Sequence, residues 1–449
     1  MTCDPAWVHR TSLTLRPDPG RVLVRLFLPG QELLGDGRSR ADAVIARVLA
    51  MDDAQTKLVL ADTLERFEDR HHDLTRTFRE HYALVAHHIP DADDLSTDQQ
   101  DLVGAYFTQE YALEGAALFN PSLVPHPDQA GLADGELRFV MSLRAVGEGH
   151  ISSIEFRTGV LGAAGEVRVD APAPHPTTGR ITPTEMSSDR RADPPEDAHD
   201  RAESGDAAYT LCFDPQRPLS ARVVFPTVAA ESHGVEDARF VAFTDEGAVT
   251  YHATYTAYDG ANVAPRLLST TDWVTFRSRP QRGPAARDKG MALFPRKVDG
   301  RHLALTRWDR ESLGVTSSDD AVTWLEPVTL ARPERPWELI QLGQCGPPLE
   351  TPSGWLVLTH GVGPMRTYGI GALLLDLDDP TVVVGVLDEP FLTPAVDERD
   401  GYVPNVVYSC GALLHGDRLV VPYGCSDSFV RFAFVELQPL LDLLTPPPG

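Results

Sequence analysis

The chain has 449 residues, 42% of them hydrophobic, with 40 basic against 65 acidic side chains and a formal net charge of −25. That excess of carboxylates excludes nucleic acid as a partner, because binding a phosphate backbone needs clustered Lys and Arg, and it bears on solubility more than on fold. Five cysteines, Cys3, Cys212, Cys345, Cys410 and Cys425, stand without CxxC spacing, so neither a zinc site nor a disulfide framework is signalled and no metal is expected.

The first residues, Met1-Thr-Cys-Asp-Pro, lack the basic and then apolar character of a secretory leader. No apolar run reaches the roughly 18 to 20 residues of a spanning helix. The expectation is a soluble cytoplasmic protein with reduced thiols and no membrane association. Residues 10 to 30 alternate, as in Arg21-Val-Leu-Val-Arg-Leu-Phe-Leu, and predict a short strand or extended arm. From about Ser39 to Leu113 the period becomes helical. Leu60, Leu64 and Phe67, then Leu74, Phe78, Tyr82 and Val85, recur at three- and four-residue steps that share one face. Ser96-Thr-Asp-Gln99 reads as a capping box opening a last helix. The paired histidines His71-His72 and His87-His88 on these helices lack the carboxylate-backed spacing of a metal site. Residues 1–114 are therefore expected to form an N-terminal arm and helical section, with a surface that is a candidate for homo-oligomerisation.

After Asn120 the pattern changes to short apolar strands separated by Gly, Pro, Asp and Asn, among them Arg138–Leu143, Arg239–Phe243, His302–Leu305, Gly354–Leu358 and Arg418–Val421. Ser269–Phe276 and Thr316–Trp324 each set Ser or Thr and an Asp ahead of an aromatic, and Asp272 and Asp319 lie 47 residues apart. That is about one propeller blade. Residues 171–206 carry six prolines and few apolar groups, so a disordered insertion is expected there. Residues 441–449 read as a simple tail.

The chemistry is most legible at Glu231-Ser-His-Gly-Val-Glu-Asp-Ala-Arg-Phe240, followed by Tyr251-His-Ala-Thr-Tyr-Thr-Ala-Tyr-Asp-Gly260. A paired carboxylate and an arginine precede an aromatic, hydroxyl-rich strand, a combination suited to binding a sugar and protonating it. Other polar passages stand at strand ends: Asn120-Pro-Ser122, Met141–Ser153, Lys289–Lys297, Thr359–Gly363, Gly401–Asn405 and Tyr423–Asp427. A propeller gathers such residues from many segments at one mouth of its channel.

Seven segments occur in one order, GVEDARF, TYTAYDG, KGMALFPRK, WLVLTHGVG, LLLDLDDP, GYVPNVVYSCG and PYGCSD. Together they resemble the signature of glycoside hydrolase family 130, the β-mannoside phosphorylases and mannosidases, over roughly residues 115 to 440. The resemblance implies a mainly β fold, a five-bladed β-propeller at 115–440. It also implies inverting cleavage of terminal β-mannosidic bonds in an oligosaccharide substrate, with Asp237 as proton donor. Arg144 matches the arginine that contacts the sugar, Asn120 and Asp427 match further sugar-binding positions, and Glu236, Tyr255 and Asp259 complete the expected substrate-binding set. For phosphorolysis, with inorganic phosphate as co-substrate and no other cofactor, Lys289, Arg296 and His360 fall in or beside the phosphate-binding segments. The chain departs from the family pattern at Arg296, where glutamate is common, and at Thr359, where tyrosine is common. For hydrolysis, Glu148 and Glu155 are the candidate bases. A non-catalytic carbohydrate-binding propeller is the remaining alternative.

Overall fold

The computed structural model describes residues 4–30, 39–183 and 207–447. They are mainly β and divide into two compact units. One comprises Met1–Asp18, Glu114–Ala173 and Thr177–Gly449, the other Pro19–Leu113 with Pro174–Pro176. The expected N-terminal section at 1–114 is thus split: Met1–Asp18 belongs with the strands, where Val8–Leu15 completes a sheet edge, and the alternating stretch after Arg21 belongs with the helices, where Val22–Leu26 pairs with Thr108–Ala112.

The smaller unit has four helices, α1 (Arg40–Leu49), α2 (Asp53–Phe67), α3 (Leu74–Val85) and α4 (Thr97–Tyr106), with a two-stranded ribbon of Val22–Leu26 and Thr108–Ala112. The capping box of α4 is formed as read from sequence: Ser96 Oγ accepts from Gln99 N and Gln99 Oε1 from Ser96 N. Leu60, Leu74, Phe78, Tyr82 and Val85 are buried together, whereas Phe67 is exposed at the end of α2. Gly104 lets α4 touch α3, since a Cβ there would lie 1.9 Å from the Phe78 carbonyl oxygen. His71 pairs with Glu110 and His88 with Asp42.

In the larger unit the strands fall into successive antiparallel groups. A twelve-stranded sheet consists of two meanders joined by a single parallel pair, Gly234 with Ser152. The first meander runs Ala117–Pro125, Leu137–Val146 and Ser152–Leu161; the second runs Gly234–Asp245, Ala248–Tyr258, Val263–Thr270 and Thr275–Pro280. A four-stranded sheet begins at Ala292–Leu293 and a five-stranded sheet at Gln341–Gln344. A last sheet holds Val407–Tyr408, Arg418–Cys425 and Phe429–Glu436, and its edge is completed by Val8–Leu15. None of these sheets closes on itself. Their apolar faces pack into separate cores, for example Phe156, Phe240, Trp273 and Phe276 in one and Phe294, Trp355 and Val357 in another.

The repeated turn is present with its register moved by one residue. Asp272 Oδ1 accepts from Val274 N and Thr275 N, and the equivalent residue is Asp320, which accepts from Val322 N and Thr323 N. In each case the next residue, Trp273 or Ala321, is left-handed with φ 58°. Asp319 instead faces Arg301. Within the segment expected to be disordered, Thr177–Thr178 and Arg180–Pro183 pair as short strands, and residues 184–206 lie outside the described residues.

The edge strand is held by charge as well as by its ladder. Arg10 donates to Glu398 and to Asp4, and the wholly buried Glu398 also accepts from Tyr423 at 2.8 Å and Arg431 at 3.1 Å. Removing one member of such a buried cluster strands a carboxylate away from water. Arg10→Ala should therefore cost about 3 kcal/mol of stability, read as a lowered urea midpoint; a midpoint unchanged from the parent protein would contradict this role.

Candidate active site

Two ladder irregularities build the site. The pairing of Gly234–Asp245 with its neighbour skips between Glu236 and Arg239, and that of Ala117–Pro125 skips between Phe119 and Ser122. Inside the skips, Asp237 has φ 55° and Asn120 φ 49°. A bulge of this kind re-aims a side chain that regular pleating would send elsewhere, and Asn and Asp tolerate the left-handed region better than most residues. The two side chains meet: Asn120 Nδ2 donates to Asp237 Oδ1 at 2.7 Å.

Arg144, from the middle strand of the first meander, donates to Glu236 at 2.6 Å and to Asp237 at 3.3 Å. Lys289 Nζ lies 3.5 Å from the other Glu236 oxygen. Arg239, almost wholly buried, is fixed by the Cys345 carbonyl, the Asp237 carbonyl and the Tyr408 hydroxyl, and its guanidinium comes within 3.8 Å of Asp237 Oδ2. These groups border a cavity of about 180 Å³ that is also lined by Arg307, Gln341, His360, Arg366, Tyr368, Val403, Val406 and Asp427. Among the described residues, five lining side chains are cations, Arg144, Arg239, Lys289, Arg307 and Arg366, and two are carboxylates, Asp237 and Asp427.

His360 is buried and hydrogen-bonded at both ring nitrogens. Nδ1 lies 3.2 Å from the Gln344 carbonyl, and Nε2 lies 3.1 Å from Arg307 and 2.9 Å from the Gln341 amide. The carbonyl requires a proton on Nδ1, which leaves Nε2 as acceptor. Burial and the nearby Arg307 and Arg239 push its pKa well below the usual histidine value, so the ring is neutral. The Nε atoms of Arg144 and Arg307 are buried without a hydrogen-bond partner. Unpaired buried donors of this kind are costly, and both arginines are among the residues that line the cavity.

The two lining carboxylates differ sharply. Burial alone would raise the pKa of Asp237, but Arg144, Arg239, Lys289 and the Asn120 amide outweigh it and hold it at about 2. Burial lifts Asp427 to about 6, with the Asp237 charge adding to the rise and Arg144 opposing it. Between these two values the proton resides on Asp427 and the charge on Asp237, and at neutral pH Asp427 is mostly ionised as well.

Several expected residues are used elsewhere. Tyr255 is wholly buried in a network with Glu231, Tyr209, Ser278 and Arg266, because its strand turns that side chain into the core. Asp259 is half-buried and caps its own turn through Ala261 N and Asn262 N, outside the cavity lining. Arg296 is engaged by both Glu350 oxygens and lies over Trp355, outside the cavity lining. Glu148 sits exposed in a turn, and Glu155 is buried against Arg157, so neither lines the cavity. Glu236 is adjacent and orients two cations. Sequence reasoning missed Arg307, Gln341, Arg366 and Tyr368; Arg307 and Gln341 flank strand ends, the one signal that was available. Tyr408 and Arg239 lay inside quoted motifs. A larger concavity of about 360 Å³ borders Trp273 and several prolines, but there the Arg222 guanidinium is committed to the carbonyls of Trp273 and Arg217.

This arrangement is a cation-rich polar cavity with two carboxylates on a β scaffold, and comparison with known proteins places the chain in a family. The model of glycoside hydrolase family 130, described as beta-1,4-mannooligosaccharide phosphorylase, matches residues 216–446. A 1,2-beta-oligomannan phosphorylase of a Thermoanaerobacter species is 35% identical over 153 residues, 34% of this chain and 51% of that protein. A beta-1,2-mannobiose phosphorylase of Listeria innocua is 32% identical over 231 residues, 49% of this chain and 63% of that one. The matched segments thus span between half and two thirds of these relatives. A glycosyl hydrolase structure from Bacteroides ovatus aligns with a TM-score of 0.50 at 19% identity, covering 74% of this chain and 87% of that one, a likeness of fold. The chain belongs to glycoside hydrolase family 130.

A carboxylate whose folded pKa is raised favours folding while it is protonated. Asp427 contributes fully below its ordinary 3.8, and that contribution is lost as pH rises through about 6. The shift corresponds to at most about 3 kcal/mol, reduced to about 2 by the solvent reaching this half-buried residue. Asp427→Asn should therefore be more stable than the parent by about 2 kcal/mol at pH 7 and equal to it at pH 4, in urea titrations at both pH values. A stability gain independent of pH would contradict the assignment.

Proposed function

We propose that the protein cleaves terminal β-mannosidic bonds of manno-oligosaccharides by phosphorolysis with inversion, releasing α-mannose 1-phosphate. The observation that carries this reading is the charge of the cavity, with five cations against two carboxylates. Inverting hydrolysis needs a second carboxylate to activate water about 6.5 to 9.5 Å from the acid. Glu148 and Glu155 do not line the cavity, and Asp427 lies among the same groups that hold the sugar, beside Asp237 and Arg144. Phosphorolysis needs no such base, only cationic donors for a dianion. The relatives above, whose names are those of β-1,2-mannoside phosphorylases, and the family model described as a beta-1,4-mannooligosaccharide phosphorylase support the same reading.

The strand groups support a five-bladed propeller. The first strand of each group, or the residue leading into it, contributes to the cavity: Asn120, Asp237, Lys289, Gln341 and Tyr408. Such convergence is what blade innermost strands do around a central channel, with Val8–Leu15 completing the last blade.

In the mechanism, Asn120, Arg144 and Asp427 bind the mannose ring, and Lys289, Arg307 and Arg366 hold phosphate on the face opposite the departing sugar. His360 and Gln341 orient the Arg307 fork. A phosphate oxygen forms the new bond to the anomeric carbon as the glycosidic C–O bond breaks. The proton from Asp237 passes to the departing oxygen, directly or through a mannose hydroxyl, so atoms and charge balance. The low pKa that the surrounding cations give Asp237 fits this sequence. Phosphate offsets the cations that keep it ionised and the sugar excludes water, so both raise its pKa and the acid is loaded only when both substrates are present. No metal or organic cofactor is required. A cytoplasmic setting, where phosphate is abundant, suits the reaction.

The test is anomer-resolved NMR with β-1,2- and β-1,4-mannobiose, with and without phosphate. Phosphate-dependent α-mannose 1-phosphate is the expected product; phosphate-independent α-mannose would replace the reading with inverting hydrolysis, and no product would favour a binding module. Asp237→Asn should lower kcat by about 10³-fold, within the usual contribution of a general acid. Arg307→Ala should raise KM for phosphate about tenfold or more, as loss of a charge-assisted donor implies, with KM for the mannoside little changed. Equal effects on both constants would contradict the role given to Arg307.

A further inference from the structure

The cavity, at about 180 Å³, is smaller than the usual ligand pocket of about 300 Å³ or more. It suits one pyranose ring and an anion, so the second ring of a disaccharide must rest on the rim. Two loops with exposed groups adjoin it. One, Gly147–Ile151, follows the strand that carries Arg144. The other, Gly401–Asn405, contains the lining residue Val403 and precedes Tyr408.

A side-chain pair joins them. Tyr402 Oη lies 3.2 Å from His150 Nδ1, and the two rings are 5.8 Å apart at 34°. His150 has φ 60°, a left-handed conformation. Tyr402 N donates to Ser428 Oγ at 2.7 Å, one residue beyond Asp427. Gly401 permits that approach, since a Cβ there would lie 2.5 Å from Ser428 Oγ and 2.6 Å from the Ser426 carbonyl oxygen. The Tyr402 ring is thus fixed at its backbone and at its hydroxyl while remaining 55% exposed. A large aromatic surface held open to solvent and immobilised at both ends is preorganised for a ligand with an apolar face.

We infer that Tyr402, clipped by His150, is the platform for the acceptor-side hexose of the β-mannoside, an inference that rests on the function proposed above. The C–H face of that ring packs on the tyrosine, leaving its hydroxyls in water. Met365, 87% exposed and next to the lining residue Arg366, supplies a further apolar contact from a turn tied to the same loop by the Tyr368 N to Asn405 carbonyl bond of 3.0 Å.

The test uses the full chain with Tyr402→Ala, Tyr402→Phe and His150→Ala. In the synthetic direction, with mannose 1-phosphate as donor and mannose as acceptor, Tyr402→Ala is expected to raise KM for the acceptor about tenfold, the equivalent of about 1.4 kcal/mol. KM for mannose 1-phosphate should stay within about twofold, because the cavity groups are untouched. Tyr402→Phe keeps the ring and should recover most of the acceptor affinity, and His150→Ala should fall between. An acceptor KM unchanged in Tyr402→Ala, or a fall in kcat alone, overturns the inference. Saturation-transfer NMR with β-1,2-mannobiose requires no turnover and so separates this inference from the proposed reaction. If the wild-type protein makes no mannose 1-phosphate, phosphorolysis fails. Loss of transfer to the reducing-end ring in Tyr402→Ala still upholds the platform, unchanged transfer overturns it, and absence of transfer in the wild-type protein overturns it as well.

Discussion

Asp237 stands where a strand refuses to stay regular. Between Glu236 and Arg239 the ladder loses its register, and the left-handed backbone at Asp237 turns a carboxylate toward Asn120, itself left-handed in a second irregular strand. Without these two bulges the carboxylate and the amide would follow the alternation of their strands and would not meet. Arg144 depends on the same geometry, because its guanidinium divides between Glu236 and Asp237, consecutive residues that a regular strand would point to opposite faces. Asp427 and Arg366 also occupy left-handed backbone, at φ 49° and 55°. Strain of this kind persists only where surrounding structure over-determines it, and here the surroundings are fully paired ladders on both sides of each irregularity.

Electrostatics then divides the labour within the cavity. Arg144, Arg239 and Lys289 concentrate positive potential on Asp237, while Asp427 lies where burial prevails. The neutral His360 makes a different contribution. By accepting from Arg307 and Gln341 it aims two donors without adding charge of its own. A protonated histidine there would repel Arg307, and the low pKa of the ring removes that conflict. The result is a strongly basic pocket in a protein whose overall charge is −25, so the field a substrate meets close at hand is opposite in sign to that of the molecule as a whole.

Much of this was legible in the sequence where a local rule applied. The capping box at Ser96, the helical faces built on Leu74, Phe78, Tyr82 and Val85, and the strand Val22–Leu26 follow from spacing alone. The motif containing Glu236, Asp237 and Arg239 led to the center of the cavity. The same rules misplaced Tyr255, Arg296 and Asp259. An aromatic hydroxyl on a strand reads alike whether it faces a ligand or a buried glutamate, and the difference at Tyr255 is made by Glu231, which its strand partners bring to it. Arg296 was judged by the segment it occupies, and Glu350, 54 residues away, decides its fate. Arg307, Gln341 and Arg366 went unnoticed because each is a single polar residue in a segment without any pattern, made significant only by convergence with strands remote in the chain. The turn register, Asp320 and not Asp319, shows the limit of alignment by eye: both aspartates fit the spacing, and only one can accept two backbone amides.

The pairing of Val8–Leu15 with Phe429–Glu436 joins segments far apart along the chain, one made long before the other. While the ribosome is working, the early strand has no partner and presents an open edge, the kind of surface on which foreign strands add. Asp427 and the residues that latch Glu398 emerge almost together with that missing partner. The cavity and the pairing of that edge are therefore completed together, so a chain interrupted before Phe429 would have neither.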